Sequence, residues 1–140
     1  HEFLKRRAEG YGNIHFHGEI NTDNRVDVYN NLDMIAVPSV WFENLPYVVS
    51  EAFAAGLPVM GSDIQGVSEM IDDNVNGILV EPGNAEAWSR AIVKIAENPE
   101  VLKKLSSGIP PLKLSIDASS EMSGVLESAQ EEVRLRYSLY

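Results

Sequence analysis

Cysteine is absent from all 140 residues, which rules out a disulfide frame and any thiolate-held metal and fits a reducing compartment. Basic residues are scarce, 11 Lys and Arg against 21 Asp and Glu, for a formal charge of -10. A nucleic-acid surface needs clustered Lys and Arg, so that class of partner is excluded. The scarcity is also local, because no Lys or Arg lies between Arg25 and Arg90. No apolar run approaches the roughly 18 residues of a membrane span, and no secretory hydrophobic segment opens the chain. The expected location is therefore the cytoplasm. Hydrophobic residues make up 44% of the sequence, ordinary for a soluble fold of one domain.

The stretch that most needs a reason runs from Pro38 to Glu51. An apolar, strand-like run (Met34, Ile35, Ala36, Val37) precedes it and an apolar, helix-like run (Ala52, Phe53, Ala54, Ala55) follows. Glu43 and Glu51 thus sit where the local pattern asks for burial. Desolvating an ionised carboxylate costs several kcal/mol unless hydrogen bonds compensate, and a bound polyhydroxyl ligand could supply the donors. Pro46 suits a first helical turn, with Asn44 as its N-cap, so a helix from about residue 46 carries Glu51 on its second turn. Glu43 stays in the loop before it. Strand, loop and helix N-terminus in that order form the place where open parallel α/β sheets bind ligands, and free amides there attract phosphate.

The rest of the chain reads as alternating strands and helices. Residues 3–9 end an amphipathic helix, and residues 14–17 form a short strand with His15 and His17 on one face. Those two could chelate a metal, but no third ligand type lies nearby, so a polar strand face is the simpler reading and no metal is expected. Thr22 or Asp23 caps a helix over about residues 24–32, with Val26, Tyr29 and Leu32 toward the core. Asp23, Asp27 and Asp33 fit cap, solvent face and helix exit better than a metal cluster. Further strands are expected at 33–37, 58–62 and 77–80, and a short helix at 66–71. Residues 72–77 should turn, with Gly77 free to take positive φ.

Asn84 caps a helix with Trp88, Ala91, Ile92, Ile95 and Ala96 at helical spacing, and Asn98-Pro99 restarts a helix ending near Gly108. Trp88 belongs to that stripe and so to the core rather than to a stacking platform, whereas Trp41 lies in the loop beside Glu43. Pro110-Pro111 signals a linker, and residues 118–137 read as a helix with the stripe Met122, Val125, Leu126, Ala129, Val133 and Tyr137. The division is a main body over residues 1–108 and a linker with terminal helix over 109–140. Strands separated by helices give the α/β class with parallel pairing.

Glu43 and Glu51, with seven residues between them, resemble the E-x7-E motif of the retaining glycosyltransferases of group 1, family 4, which have the GT-B fold of two facing Rossmann-like domains. Pro38-Ser39, Glu51-Ala52 and Ala55-Gly56-Leu57-Pro58-Val59 match the motif's usual context. The resemblance extends from Ile14-His15-Phe16-His17-Gly18 through Tyr29 and Asp33-Met34 to Gly66-Val67-Ser68-Glu69-Met70-Ile71 and Asn76-Gly77-Ile78-Leu79-Val80-Glu81-Pro82, covering residues 3–105. The sequence departs from it at Pro46, where the family often has glycine.

The resemblance implies a nucleotide-diphosphate sugar as ligand (a UDP-, GDP- or ADP-sugar) and no cofactor. It assigns hydroxyls of the transferred sugar to Glu43, the catalytic position, and to the amides of Asn44 and Leu45. The diphosphate falls to the amides of Tyr47 and Val48, the ribose to Glu51, and the base to Gly18, Glu19 and Ile20. The corresponding donor-binding domain has six strands, of which this chain would start at the third. The family's diphosphate-binding Arg and Lys follow the two strands not found here, and the acceptor would be held by an N-terminal domain. The expectation is therefore a partial C-terminal half of such an enzyme, inactive alone. Two other readings stay open: a sugar-nucleotide epimerase on the same fold, and a non-catalytic α/β interaction module.

Overall fold

The computed structural model describes residues 2–22 and 24–111. Asp23, the residues after Pro111 and with them the expected helix at 118–137 lie outside them. The described elements are α1 (Glu2–Ala8), α2 (Arg25–Asn30), β1 (Ile35–Val37), α3 (Tyr47–Ala54), β2 (Val59–Ser62), β3 (Gly77–Val80), α4 (Ala85–Glu97) and α5 (Glu100–Ser107).

The three strands form one parallel sheet in the order β1-β2-β3. Ile35 lies opposite Val59, and Val59 opposite Gly77. The central strand β2 is buried along its whole length, as a strand covered on both faces must be. Its neighbour β1 has an open edge among the described residues, and Ala36 there is exposed. The core joins Tyr29 of α2, Val37, the α3 residues Val49, Ala52 and Phe53, then Leu57, Val59, Val67 and Ile71, with Ile109 packed against it. Positions 49, 52 and 53 share one helical face. That face fixes how α3 lies on the sheet.

Several expectations are corrected. Residues 14–17 form no strand; Ile14 and Phe16 are 47% and 41% exposed. A strand needs a partner for its amide ladder, and the described sheet ends at β1. The helix α2 is shorter than expected, and its N-cap is Asn24 rather than Thr22. The Asn21 and Asn24 side chains each accept from the other's backbone N–H, at 3.1 and 2.8 Å. Residues 66–71 make successive turns rather than a helix. Asn84 does cap α4, accepting from the Ala87 N–H at 3.0 Å, but the stripe on α4 is only half covered, with Ile92 53% exposed.

Gly77 is needed for a different reason from the one its turn-like setting implies. The left-handed residue of the 72–77 turn is Asn74, at φ 60°, a conformation asparagine tolerates. Gly77 opens β3, where a Cβ would overlap the Val59 carbonyl and the Ile71 side chain. Close strand approach excludes a side chain there. Gly77→Ala is expected to cost about 1–3 kcal/mol of stability through overpacking, read as a lowered urea midpoint. An unchanged midpoint would show that the strands do not approach this closely.

Candidate functional site

The chain leaves β1 at Val37, passes Pro38 and enters α3 at Tyr47. Pro46, at φ -72° and ψ 96°, occupies the N-cap position without a side-chain cap. The expected Asn44 cap is therefore not formed, and the helix starts one residue later than the sequence pattern indicates. Because the Val49 N–H donates to the Pro46 carbonyl at 2.9 Å, the open amides at this helix start are those of Tyr47 and Val48. Both are expected phosphate contacts. The Tyr47 side chain is 74% exposed.

The loop carrying Glu43 is pressed against the turn after β2. The Glu43 N–H donates to the Gln65 carbonyl at 3.3 Å, and Gly66, at φ +89°, lies so close that a Cβ there would overlap the Glu43 carbonyl. The side chain is held from the other direction, with Ser39 Oγ donating to Glu43 Oε1 at 3.0 Å. Glu43 is half-buried as a result, while Asn44 and Leu45 beside it are exposed.

Glu51 lies on the side of α3 away from Val49 and Phe53, at about 100° of turn per residue, and faces α2. Arg25 Nη1 donates to Glu51 Oε1 at 2.5 Å, and the Tyr29 hydroxyl donates to Glu51 Oε2 at 2.9 Å. Protein groups thus supply part of what the sequence reading left to a ligand. A third of the Glu51 side chain remains exposed, as does 39% of Arg25, so the carboxylate can still be reached. With no Lys or Arg between Arg25 and Arg90, the cation at this site comes from outside its own stretch of sequence. It is the last basic residue before the long acidic and neutral stretch, 26 positions from Glu51, and no local pattern links the two.

The Tyr29 hydroxyl is pushed up to about 12 from its ordinary 10.0, first by burial and then by the hydrogen bond and charge of Glu51, with Arg25 pulling it down. It remains a donor throughout the neutral range. Gly18, Glu19 and Ile20 lie in exposed coil, just before the Asn21–Asn24 turn that starts α2. Their only described link to Glu51 is along the chain. Among the described residues no group of three His, Asp or Glu gathers as a metal site would need; the His15 and His17 rings stand 6.0 Å apart.

An apolar groove of about 530 Å³ is lined by Pro38 and Val40 together with Ala85, Trp88, Ile92 and Val93. Trp88 is thus half-buried along a groove rather than sealed in the core, and its indole N–H is buried without an acceptor. No ionisable side chain lines the groove. The hydrogen-bonded carboxylates Glu43 and Glu51 lie instead around the α3 start.

Residues 1–109 match the family model described as glycosyl transferases group 1. The chain belongs to that family. Among curated relatives of this group 1 glycosyltransferase chain, a D-inositol 3-phosphate glycosyltransferase of Saccharomonospora viridis is 40% identical over 83 residues, 59% of this chain and 19% of that protein. The enzyme of the same name from Rhodococcus jostii is 31% identical over 106 residues, 76% of this chain and 23% of that protein. The chain therefore spans about a fifth of the length of these relatives. A crystal structure of Anabaena HepE in complex with UDP-glucose superposes with a TM-score of 0.68 at 22% identity, covering 98% of this chain and 36% of that one. Sucrose-phosphate synthase from Thermosynechococcus elongatus gives 0.68 at 23% identity, with 99% and 33% covered. These neighbours show that the chain has the fold of part of a GT-B glycosyltransferase domain, a parallel sheet with flanking helices. Among the described residues no helix is long and apolar enough to cross a membrane.

The raised Tyr29 hydroxyl sets a pH window. Below pH 10 the phenol is protonated in both folded and unfolded chains and contributes no slope. Between about 10 and 12 the unfolded chain loses the proton first, so stability falls as pH rises. The stability advantage of the wild type over Tyr29→Phe should be flat below pH 10 and shrink between 10 and 12. Denaturation curves running parallel to pH 12 would contradict the bonded, buried phenol.

Proposed function

We propose that this chain is the donor-binding portion of a retaining glycosyltransferase that takes a sugar from a nucleoside-diphosphate sugar. The observation that carries the reading is the placement of Glu43 and Glu51. Two half-buried, hydrogen-bonded carboxylates flank a helix start at the C-terminal end of a parallel strand, in a chain of the group 1 glycosyltransferase family. UDP-glucose, with which the Anabaena neighbour is in complex, is the first donor to try.

Each group then has a task. Glu43, with the amides of Asn44 and Leu45, accepts from and donates to hydroxyls of the transferred sugar and so positions its anomeric carbon. The amides of Tyr47 and Val48, at the positive end of α3, meet the diphosphate. Pro46 has no N–H to offer. Glu51 accepts from the adjacent ribose hydroxyls, which suit one carboxylate. Gly18, Glu19 and Ile20 line the base.

The bond from the anomeric carbon to the diphosphate oxygen breaks, and the bond to the acceptor oxygen forms on the same face. The acceptor's proton passes to a phosphate oxygen of the leaving group. Stabilising the charge that builds on that diphosphate is the main catalytic contribution. The acceptor belongs to a domain outside this sequence, so the chain alone binds donor weakly and does not turn over.

Isothermal calorimetry of the folded chain with UDP, GDP and ADP tests this. One of the three should bind, and Glu51→Gln should weaken it by about tenfold or more, the worth of a charged hydrogen bond of roughly 1.5–3 kcal/mol. No heat with any nucleotide, or an unaltered affinity in the variant, would overturn the reading.

A further inference from the structure

We infer that Arg25 and Tyr29 are positioning residues: together they orient the Glu51 carboxylate so that its unused lone pairs face the two ribose hydroxyls of the bound nucleotide. This rests on the assignment of Glu51 to the ribose.

An ionised carboxylate offers about four acceptor sites, two on each oxygen. Arg25 Nη1 uses one on Oε1 and the Tyr29 hydroxyl one on Oε2. One site therefore remains on each oxygen, the number that two neighbouring hydroxyls require. A carboxylate held by one donor can swivel about that bond. Held through both oxygens by donors of different reach, it has one plane.

Both donors come from α2, four residues apart and hence on one helical face. Their own positions are constrained. The Tyr29 ring is 6% exposed and belongs to the core cluster, and the start of α2 is tied by the reciprocal Asn21 and Asn24 bonds. The raised Tyr29 hydroxyl keeps its proton and so remains a donor at any pH at which the protein would work.

The ion pair on its own gives little reason to be there. Both side chains are about a third or more exposed, and pairs that meet water contribute little to stability. Arg25 also engages through one amino group, while its Nε–H is buried without an acceptor. A two-pronged guanidinium–carboxylate fork, the arrangement that would close Glu51 to a ligand, is not formed. The pair is oriented for presentation rather than for closure.

The test uses the 140-residue chain, the tightest-binding of UDP, GDP and ADP, and the 2′,3′-dideoxy form of that nucleotide. The wild type should prefer the ribonucleotide by about tenfold or more, and Glu51→Gln should abolish the preference. Tyr29→Phe and Arg25→Gln should each weaken ribonucleotide binding by about threefold to tenfold and leave the dideoxy affinity unchanged, with Arg25→Lys recovering part of the loss. Circular dichroism checks that each variant is folded, and Arg25→Gln, at a half-exposed position, decides the matter if Tyr29→Phe is not. Equal losses with both nucleotides, or none with either, would overturn the positioning role while leaving Glu51 in place. A folded wild type that binds no nucleotide, or shows no preference, would remove the ribose assignment and this inference with it.

Discussion

Everything at the α3 start depends on a charged carboxylate being kept half out of water. At that depth Glu51 has lost part of its hydration, and Arg25 on one oxygen and the Tyr29 hydroxyl on the other replace some of the lost water with groups already ordered for other reasons. Tyr29 is a core residue first, and its hydroxyl reaches the carboxylate from the edge of the core. The same economy holds at Glu43, whose loop is fixed by backbone contact with the turn at Gln65 and Gly66 and whose side chain meets Ser39. Neither carboxylate is placed by a long rigid element. Both are placed by short contacts from neighbouring turns and helices onto the rim of a small parallel sheet.

The sheet makes that rim possible. Parallel strands put their connections at opposite ends, so the exits of β1 and β2 come together, and the Glu43 loop and the Gly66 turn are those exits. Close packing of β2 against β3, with Gly77 opposite Val59, ties the strands together at the opposite, entry end of the sheet. The family membership fits a fold in which backbone geometry at one edge is held strictly while the surrounding loops are exposed.

Much of this was legible in the residues. The strands around Ile35, Val59 and Gly77, the helix carrying Glu51 on its second turn and the Asn84 cap follow from apolar spacing and cap chemistry. The E-x7-E pair pointed to the family that the comparison establishes. What escaped the reading has common physical causes. Arg25 and Glu51 are partners across 26 positions, and hydrophobic periodicity says nothing about contacts between surface-facing side chains of different helices. Gly77 was read from its turn-like neighbours, whereas its need arises from the Val59 carbonyl on another strand. Residues 14–17 alternate as a strand does, yet alternation describes one side of a pairing whose other side is not among the described residues. The Asn44 cap failed because Asn44 and Pro46 compete for the start of one helix and Pro46 takes the N-cap place.

The most direct test is an amide NMR titration of the chain with UDP-glucose, following every assigned residue. Shifts should concentrate at residues 43–51 and along Arg25 to Tyr29, with the groove residues Ile92 and Val93 unmoved. Shifts centred on that apolar groove, or none at the two carboxylates, would contradict a nucleotide-sugar site at the start of α3.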